Sequence, residues 1–446
     1  MTLTRISPAS PGVTHGRLCI DGYNIGLSKG TGIATYGRNL LANARALGFS
    51  PSLLAGPVTR GHAGAVADES AIAGHETVRR RWGKVELFAR TLISRFGQSA
   101  YPVKPTGQVV WADRNRPNVD HYWMSPSLYR LAGRAFVHYG AATPVRFRGT
   151  DEIPAPTIMH WTATLPVRAV GMANVYTIHD LIPLKLPHLT TDDPGRYMQM
   201  CRMIARHADQ IAVVSETTRR DVIELLGVEE DRVINTYQAI NLPEEIMNRP
   251  QGEVLAELEG IFGLDWKGYL LHFGAIEPKK NLGRIIEAYL ASGAACPLVI
   301  VGGAAWMSDD ETALLDGIRR NGGAEAERVR QYEYLPFPLL MTLIRGARAT
   351  LFPSLYEGFG LPVLESMALG TAVLTSTAGS LPEIAGGAAL LVDPYDTSAI
   401  TRAIRSLDQD RDLTPDLANR GLERAMAFQP KVYQERLRTL YARVGL

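Results

Sequence analysis

The sequence predicts an α/β protein built from two doubly wound, parallel-sheet domains. Three observations lead there. Short apolar runs of strand type alternate with stretches whose apolar residues recur at helical spacing. The chain has 446 residues, 46% of them hydrophobic, enough for two domains of roughly 200 residues each. Residues 352–365, Phe-Pro-Ser-Leu-Tyr-Glu-Gly-Phe-Gly-Leu-Pro-Val-Leu-Glu, read as a strand end, a glycine loop and a helix start, the unit from which such sheets are wound.

The first half opens with a short strand at 17–20, a polar, glycine-rich stretch at 21–32 and a helix at 33–47. Ile33, Tyr36, Leu40, Leu41 and Ala44 of that helix fall near helical period. Strands follow at 157–160, 174–178 and 210–214. The second half repeats the pattern, with strands at 269–273, 297–301, 329–334, 349–352, 372–375 and 388–392 and helices between them, as at 282–291 and 340–345. Residues 241–252, with Pro243, Glu244, Glu245 and Pro250, read as a linker. The expected division is 1–245, 246–429 and a terminal helical segment, 430–446.

Residues 76–150 are the least readable part. Within them, 78–100 carries Arg79, Arg80, Arg81, Lys84, Arg90 and Arg95 against one acid, Glu86. Val85, Phe88, Ala89, Leu92 and Phe96 share one helical face, so the segment reads as a basic amphipathic helix. Two readings stay open. One is a surface helix packing its apolar face on the first domain, the reading given more weight. The other is a peripheral helix lying in an anionic membrane surface.

Composition narrows the partners. The formal net charge is +2, so no global basic field argues for nucleic acid. Cys19, Cys201 and Cys296 form an odd, sparse set without metal-type spacing, which fits a reducing compartment. Residues 1–16 are rich in Ser, Thr, Pro and Gly and lack the apolar core of a signal peptide. No apolar run reaches the length of a membrane span. A cytoplasmic place is expected, peripheral on the inner face of the cell membrane if 78–100 lies in lipid.

Within 352–365 two carboxylates, Glu357 and Glu365, stand eight positions apart across the glycine loop. Gly358 and Gly360 lack a Cβ, so the chain can turn sharply and approach a ligand closely. Pro362 suits the first helical position, where a missing N–H costs nothing. Free backbone N–H groups at a helix start favour an anion, and an acid on either side can hold neutral hydroxyls. A nucleotide sugar has that order: ribose, diphosphate, sugar. The string resembles the Glu-x7-Glu signature of retaining glycosyltransferases of the GT-B architecture, two Rossmann-like domains facing a cleft. It most resembles the large family holding bacterial mannosyl- and glucosyltransferases of surface-polysaccharide assembly. The resemblance implies that Glu357 contacts the donor sugar and Glu365 the nucleotide ribose. It places Gly358, Phe359, Gly360 and Leu361 in the donor site, and implies a terminal helix that crosses back to the first domain.

Other strings extend the likeness. His272-Phe273-Gly274-Ala275-Ile276-Glu277-Pro278-Lys279-Lys280-Asn281 lies between a strand and a helix. In the family a similar Glu-Pro-Arg/Lys-Lys-Asn places its second basic residue on the donor diphosphate. That implies a catalytic part for Lys280, with Gly274 and Lys279 on the donor side; where some relatives have an Arg after the glycine, this chain has Ala275. A cation there would stabilise charge on the leaving diphosphate without a metal. Residues 175–183, Val-Tyr-Thr-Ile-His-Asp-Leu-Ile-Pro, are similar to the family's Thr-x-His segment, which implies that His179 lies beside the donor sugar. For the acceptor side the candidates are His160 at a neighbouring strand end, Ser215 in a Val-Ser segment, and Gly32 in place of a Gly-Gly-Ile-like loop. For His160 and Ser215 a structural role stays equally open.

Neither a metal nor a cofactor is expected. Asp408-Gln409-Asp410 and Asp410-Arg411-Asp412 match an Asp-x-Asp motif in letters but read as a solvated charge run. Gly30-Thr31-Gly32 does not complete Gly-x-Gly-x-x-Gly, since Thr35 takes the last place, and no acid follows at ribose-binding distance. The expectation is a retaining, metal-independent hexosyltransferase moving mannose from GDP-mannose onto a saccharide or lipid-linked acceptor. A UDP-glucose-type transferase is the alternative. Behind it stand a sugar-nucleotide 2-epimerase on the same architecture and a non-catalytic nucleotide-sugar-binding protein.

Overall fold

The computed structural model describes residues 16–25, 32–59, 61, 63–74, 83–111 and 116–445. The chain divides into two compact units. The first is Met1–Trp161 with Pro166–Val175 and Tyr441–Leu446; the second is Thr162–Leu165 with Tyr176–Leu440.

In the first unit the strand Arg17–Asp21 lies between Ser50–Ala55 and Ile158–Trp161, parallel to both. Leu18, Cys19 and Ile20 are fully buried, as expected for a central parallel strand covered on both faces. The helix Gly32–Ala46 buries Ala34, Tyr36, Leu40, Leu41 and Ala44, close to the expected stripe. Beyond Ser50–Ala55 the order continues through Tyr122–Met124, Gln98–Val103, Thr143–Phe147 and Val167–Ala169. Gln98–Val103 runs antiparallel to Tyr122–Met124, a reversal inside an otherwise parallel sheet. Sequence reading misses these outer strands because they are short, and two of them carry Pro102 and Pro144, residues that strand patterns exclude.

The segment 78–100 is not one helix. A helix spans Lys84–Ser94 and the chain is already a strand by Gln98; residues 78–82 lie outside the described residues. Its burial is also inverted relative to the packing reading. Thr91 and Ser94 face inward, while Val85, Phe88, Leu92, Ile93 and Phe96 are exposed, Val85 by 82%. The buried hydroxyls cost little because each donates within the helix, Thr91 Oγ1 to Leu87 O at 2.7 Å and Ser94 Oγ to Thr91 O at 2.8 Å.

The second unit carries a parallel six-stranded sheet. Its order is Val329–Tyr332, Leu298–Val301, Leu270–Phe273, Ala349–Phe352, Ala372–Ser376, Leu390–Val392. The chain builds outward from Leu270–Phe273 on one side, then returns to build outward on the other. That leaves a topological switch point at the carboxyl ends of Leu270–Phe273 and Ala349–Phe352, where open α/β sheets bind ligands. Leu270, Ile285, Ile286, Leu298, Ile300, Leu351, Leu374, Ile400 and Ile404 form the core on one face. The same unit holds the parallel pair Gln210–Val213 and Val233–Asn235. The expected linker at 241–252 contains the short helix Glu244–Met247 and the start of Gln251–Glu257, because its two prolines open helices as readily as they break them.

Next to the switch point, the ends of Leu270–Phe273 and Leu298–Val301 approach closely. A Cβ on Gly302 would stand 1.9 Å from Gly274 O. Gly302→Ala is expected to lower unfolding stability by about 1–3 kcal/mol, read as a lower urea midpoint. A variant as stable as the wild type would mean that the two strand ends can part freely.

Candidate active site

The two loops at the switch point are tied to each other before any ligand is considered. Leu355 N donates to Lys279 O at 2.8 Å. Asn281, at φ 63°, donates through Nδ2 to Pro353 O at 2.9 Å and Pro394 O at 2.8 Å. Asparagine is among the few side chains that tolerate that backbone region. Pro278–Lys280 is a single tight turn that carries both lysines inward.

There they meet the acids. Lys280 Nζ pairs with Glu357 Oε1; Lys279 Nζ lies 3.9 Å from Glu357 Oε2 and 3.4 Å from Glu277 Oε1. Burial alone would push the Glu357 carboxyl up; Lys280, then Lys279, outweigh it and hold the carboxyl below its ordinary value. Burial lowers Lys279, but Glu357, Glu277 and Asp180 more than reverse that. Glu277 is raised, mainly by burial. His272, fully buried on the strand below, donates through Nδ1 to Leu351 O at 2.8 Å. Burial depresses it to about 4, so it is neutral.

The glycine loop closes the arrangement. Gly358 packs so tightly that a Cβ would meet His179 O at 2.2 Å, and Gly360 takes φ 99° at the start of the helix Leu361–Ala368. Among the described residues, the backbone N–H groups of Gly358, Phe359 and Gly360 donate to no protein acceptor. Three free donors at a helix start, beside two ammonium groups, constitute an anion site. Leu361 opens the helix, so Pro362 takes the second helical position rather than the first, where its missing N–H is still harmless. Glu365, one turn in, is half-buried. Burial raises its carboxyl to about 7, opposed only partly by Lys280.

His179 lies in the same unit. Its Nε2 donates to Thr162 O at 2.8 Å, and burial lowers its pKa. A carbonyl oxygen accepts, so Nε2 carries a proton here. Gly274, at φ 127°, has open space where a Cβ would stand, as a residue facing a ligand requires.

Three expected side chains go elsewhere. Phe359 is buried edge-on against Phe428, ring centroids 5.8 Å apart, so only its backbone is left for a ligand. Ser215 is fully buried as the N-cap of the helix Glu216–Leu226, accepting from Thr218 N at 3.0 Å. His160 belongs to the first unit, fully buried, with Nδ1 2.8 Å from Tyr441 OH. Gly32, also in the first unit, is exposed at the first position of its helix; Gly30 and Thr31 lie outside the described residues. Asp408 of the Asp-x-Asp string holds Arg348 Nη1 at 2.5 Å and accepts from Ala295 N at 2.7 Å. Sequence reading also missed residues around the loop. Asp221 accepts from Tyr356 OH at 2.6 Å and from Lys185 Nζ at 2.7 Å, and Ser380 Oγ lies 2.9 Å from Glu357 O and 2.8 Å from Phe359 O, with one proton to share between them. Their partners lie far away in sequence, and no local pattern announces them.

Two α/β units, each built on a largely parallel sheet, match the GT-B fold. Anabaena HepE, solved in complex with UDP and glucose, shares it with a TM-score of 0.62 at 14% identity, over 96% of this chain and 100% of that one. Residues 263–424 match the family Glycosyl transferases group 1. Among curated relatives, the O-antigen chain mannosyltransferase B of Escherichia coli is 33% identical over 259 residues, 57% of this chain and 66% of the relative. The serotype-specific mannosyltransferase WbdA of Escherichia coli is 28% identical over 275 residues, 60% of this chain and 33% of the relative. The chain thus spans 66% of the first relative's length and 33% of the second's.

The raised Glu365 predicts a pH effect with a definite sign. The folded chain holds this proton more tightly than the unfolded chain, whose carboxyl titrates near 4.5. The group's contribution to stability is therefore most favourable below pH 4.5 and is lost as pH rises to about 7. Glu365→Gln removes that loss. Its melting temperature relative to the wild type should climb between about pH 4.5 and pH 8. A difference that stays flat with pH would mean that Glu365 is not desolvated.

Proposed function

We propose that this chain is a glycosyltransferase that moves a hexose from a nucleotide sugar to a saccharide or lipid-linked acceptor in surface-polysaccharide assembly. One observation supports this above the rest: free N–H groups of Gly358, Phe359 and Gly360 converge with Lys279 and Lys280 at the switch point. In this reading the donor diphosphate lies there, with Gly274 and Leu361 beside it. Glu365 takes the ribose hydroxyls, and Glu357 and His179 take the sugar.

As the glycosidic bond breaks, negative charge grows on the diphosphate oxygen and positive charge on the anomeric carbon. Lys280 and the N–H groups stabilise the first, and the Glu357 carboxylate the second, without reorganising. No metal is needed for that charge balance. In this reading the acceptor oxygen attacks from the leaving-group face. The diphosphate oxygen takes the acceptor proton, and configuration is retained.

The proposed donor is GDP-mannose, on the strength of the two mannosyltransferase relatives. A UDP-glucose-type donor is the second reading, favoured by the UDP and glucose bound to HepE. Thermal melts without added metal separate them. GDP at a hundred times its dissociation constant adds about 2.7 kcal/mol; a shift with GDP and not UDP is expected, and the reverse outcome selects the second donor. Glu357→Gln should lower turnover roughly 100-fold while leaving the nucleotide-induced shift in place. Near-normal turnover would remove Glu357 from the chemistry.

The proposal includes peripheral contact with an anionic membrane through 78–100. Its support is the helix Lys84–Ser94, which turns Val85, Phe88 and Ile93 outward beside Lys84 and Arg95. No helix among the described residues is long and apolar enough to cross a membrane. The protein should sediment with phosphatidylglycerol vesicles, and Phe88→Ser with Phe96→Ser should abolish it. Equal recovery with neutral vesicles, or none with either, would refute the contact.

A further inference from the structure

The loop that carries Glu357 is also held from outside the anion site, in part by one helix, Glu216–Leu226. At one end stands Tyr356, the residue before Glu357. Its hydroxyl donates to Asp221 Oδ2 at 2.6 Å, and Lys185 Nζ binds Asp221 Oδ1 at 2.7 Å. The Lys185 ammonium also lies 5.1 Å from the Tyr356 ring centroid. Asp221 and Tyr356 are each 7% exposed. At the other end, Glu383 accepts from Glu216 N at 2.7 Å and Thr217 N at 3.1 Å, the first free donors of the same helix. Between these ends, Ser380 Oγ lies 2.9 Å from Glu357 O and 2.8 Å from Phe359 O. Thr218 Oγ1 donates to His179 O at 3.2 Å.

We propose that Asp221, acting through Tyr356, is the positioning residue that sets where the Glu357 carboxylate stands during sugar transfer. An ion pair with a partly exposed partner contributes little net stability, and the Lys185 side chain is 34% exposed, so the Lys185–Asp221 pair is poorly explained as glue. What it does supply is direction. Lys185 Nζ holds one carboxylate oxygen of Asp221 and lies 3.3 Å from the Tyr356 hydroxyl, and the other carboxylate oxygen accepts from that phenol. That phenol belongs to the residue adjoining Glu357. The Lys280–Glu357 pair then lies at the end of a chain of fixed contacts: Lys185, Asp221, Tyr356, Glu357. Displacement of a reacting group by about 1 Å can cost on the order of 100-fold in rate. Asp221 and Tyr356 touch no reacting atom in this scheme. Their effect must pass through Glu357.

The kinetic arm of the test rests on the transferase reading; a second arm does not. Asp221→Asn and Tyr356→Phe keep shape and remove the charge or the hydroxyl. Each should lower kcat about tenfold or more with the donor KM within about twofold, since the diphosphate contacts are untouched. Combined with Glu357→Gln, neither should lower kcat further, because a residue acting only through Glu357 has nothing left to position. In parallel, hydrogen–deuterium exchange at 354–360 should rise in both variants, while Leu270–Phe273 and Ala349–Phe352 stay protected. Unchanged kcat, or losses that add in the double variants, would overturn the proposal. If the wild type transfers no sugar, the functional reading fails on its own, and exchange decides this one: unchanged exchange at 354–360 overturns it. Should Asp221→Asn not fold, Tyr356→Phe carries both readouts.

Discussion

The buried pairing of Glu357 with Lys280 and Lys279 is the interaction on which the rest of this site depends. Taking an ion out of water costs several kcal/mol even after relaxation. Neither the acid nor the lysines could stand where they do alone. They come from two different loops, one after Leu270–Phe273 and one after Ala349–Phe352, so each loop needs the other to hold its charge. The backbone bond from Leu355 N to Lys279 O and the two bonds of Asn281 make that mutual need rigid. An anion entering such a site meets groups already aimed, and an acid whose charge has been kept.

Two opposing environments for two acids follow from the same geometry. Glu357 has its cations close enough to overcome burial; Glu365, one turn up the helix, has burial and only a partial share of Lys280. Identical side chains eight positions apart therefore carry different charge near neutral pH. Such a split of paired carboxylates accompanies sites that do chemistry. The glycines set the distance between them. Gly358 lets the loop lie against His179 O, and Gly360 takes a backbone conformation that turns the chain into the helix.

The helix Lys84–Ser94 shows where a local pattern misleads, and Ser215 and His160 show where it leaves two roles open. A one-sided apolar stripe usually marks the buried face, yet here the stripe faces out and Thr91 and Ser94 face in. Helical period identifies a face but carries no sign; only the neighbouring elements decide which face they cover. Ser215 and His160 likewise stand at strand ends, where ligand-facing residues are common. One caps a helix and the other bonds Tyr441, 281 positions away. Neither partner can be read from the residues beside them.

What the sequence by itself determined is local and strong. It set the parallel α/β class, six strands of the second unit to within a few residues, the strand–glycine loop–helix unit at 352–365, and the conjunction of Glu357, Glu365, Lys279 and Lys280. These follow from short-range physics: apolar runs, glycine's backbone freedom, proline at a helix start. Tertiary structure alone decided the antiparallel strand in the first unit, the outward stripe of 84–94, the pairing that keeps Glu357 charged while Glu365 is raised, and the hold of Asp221 on Tyr356. Each of these depends on desolvation or on a partner far along the chain. Both exist only once the strands have been set side by side.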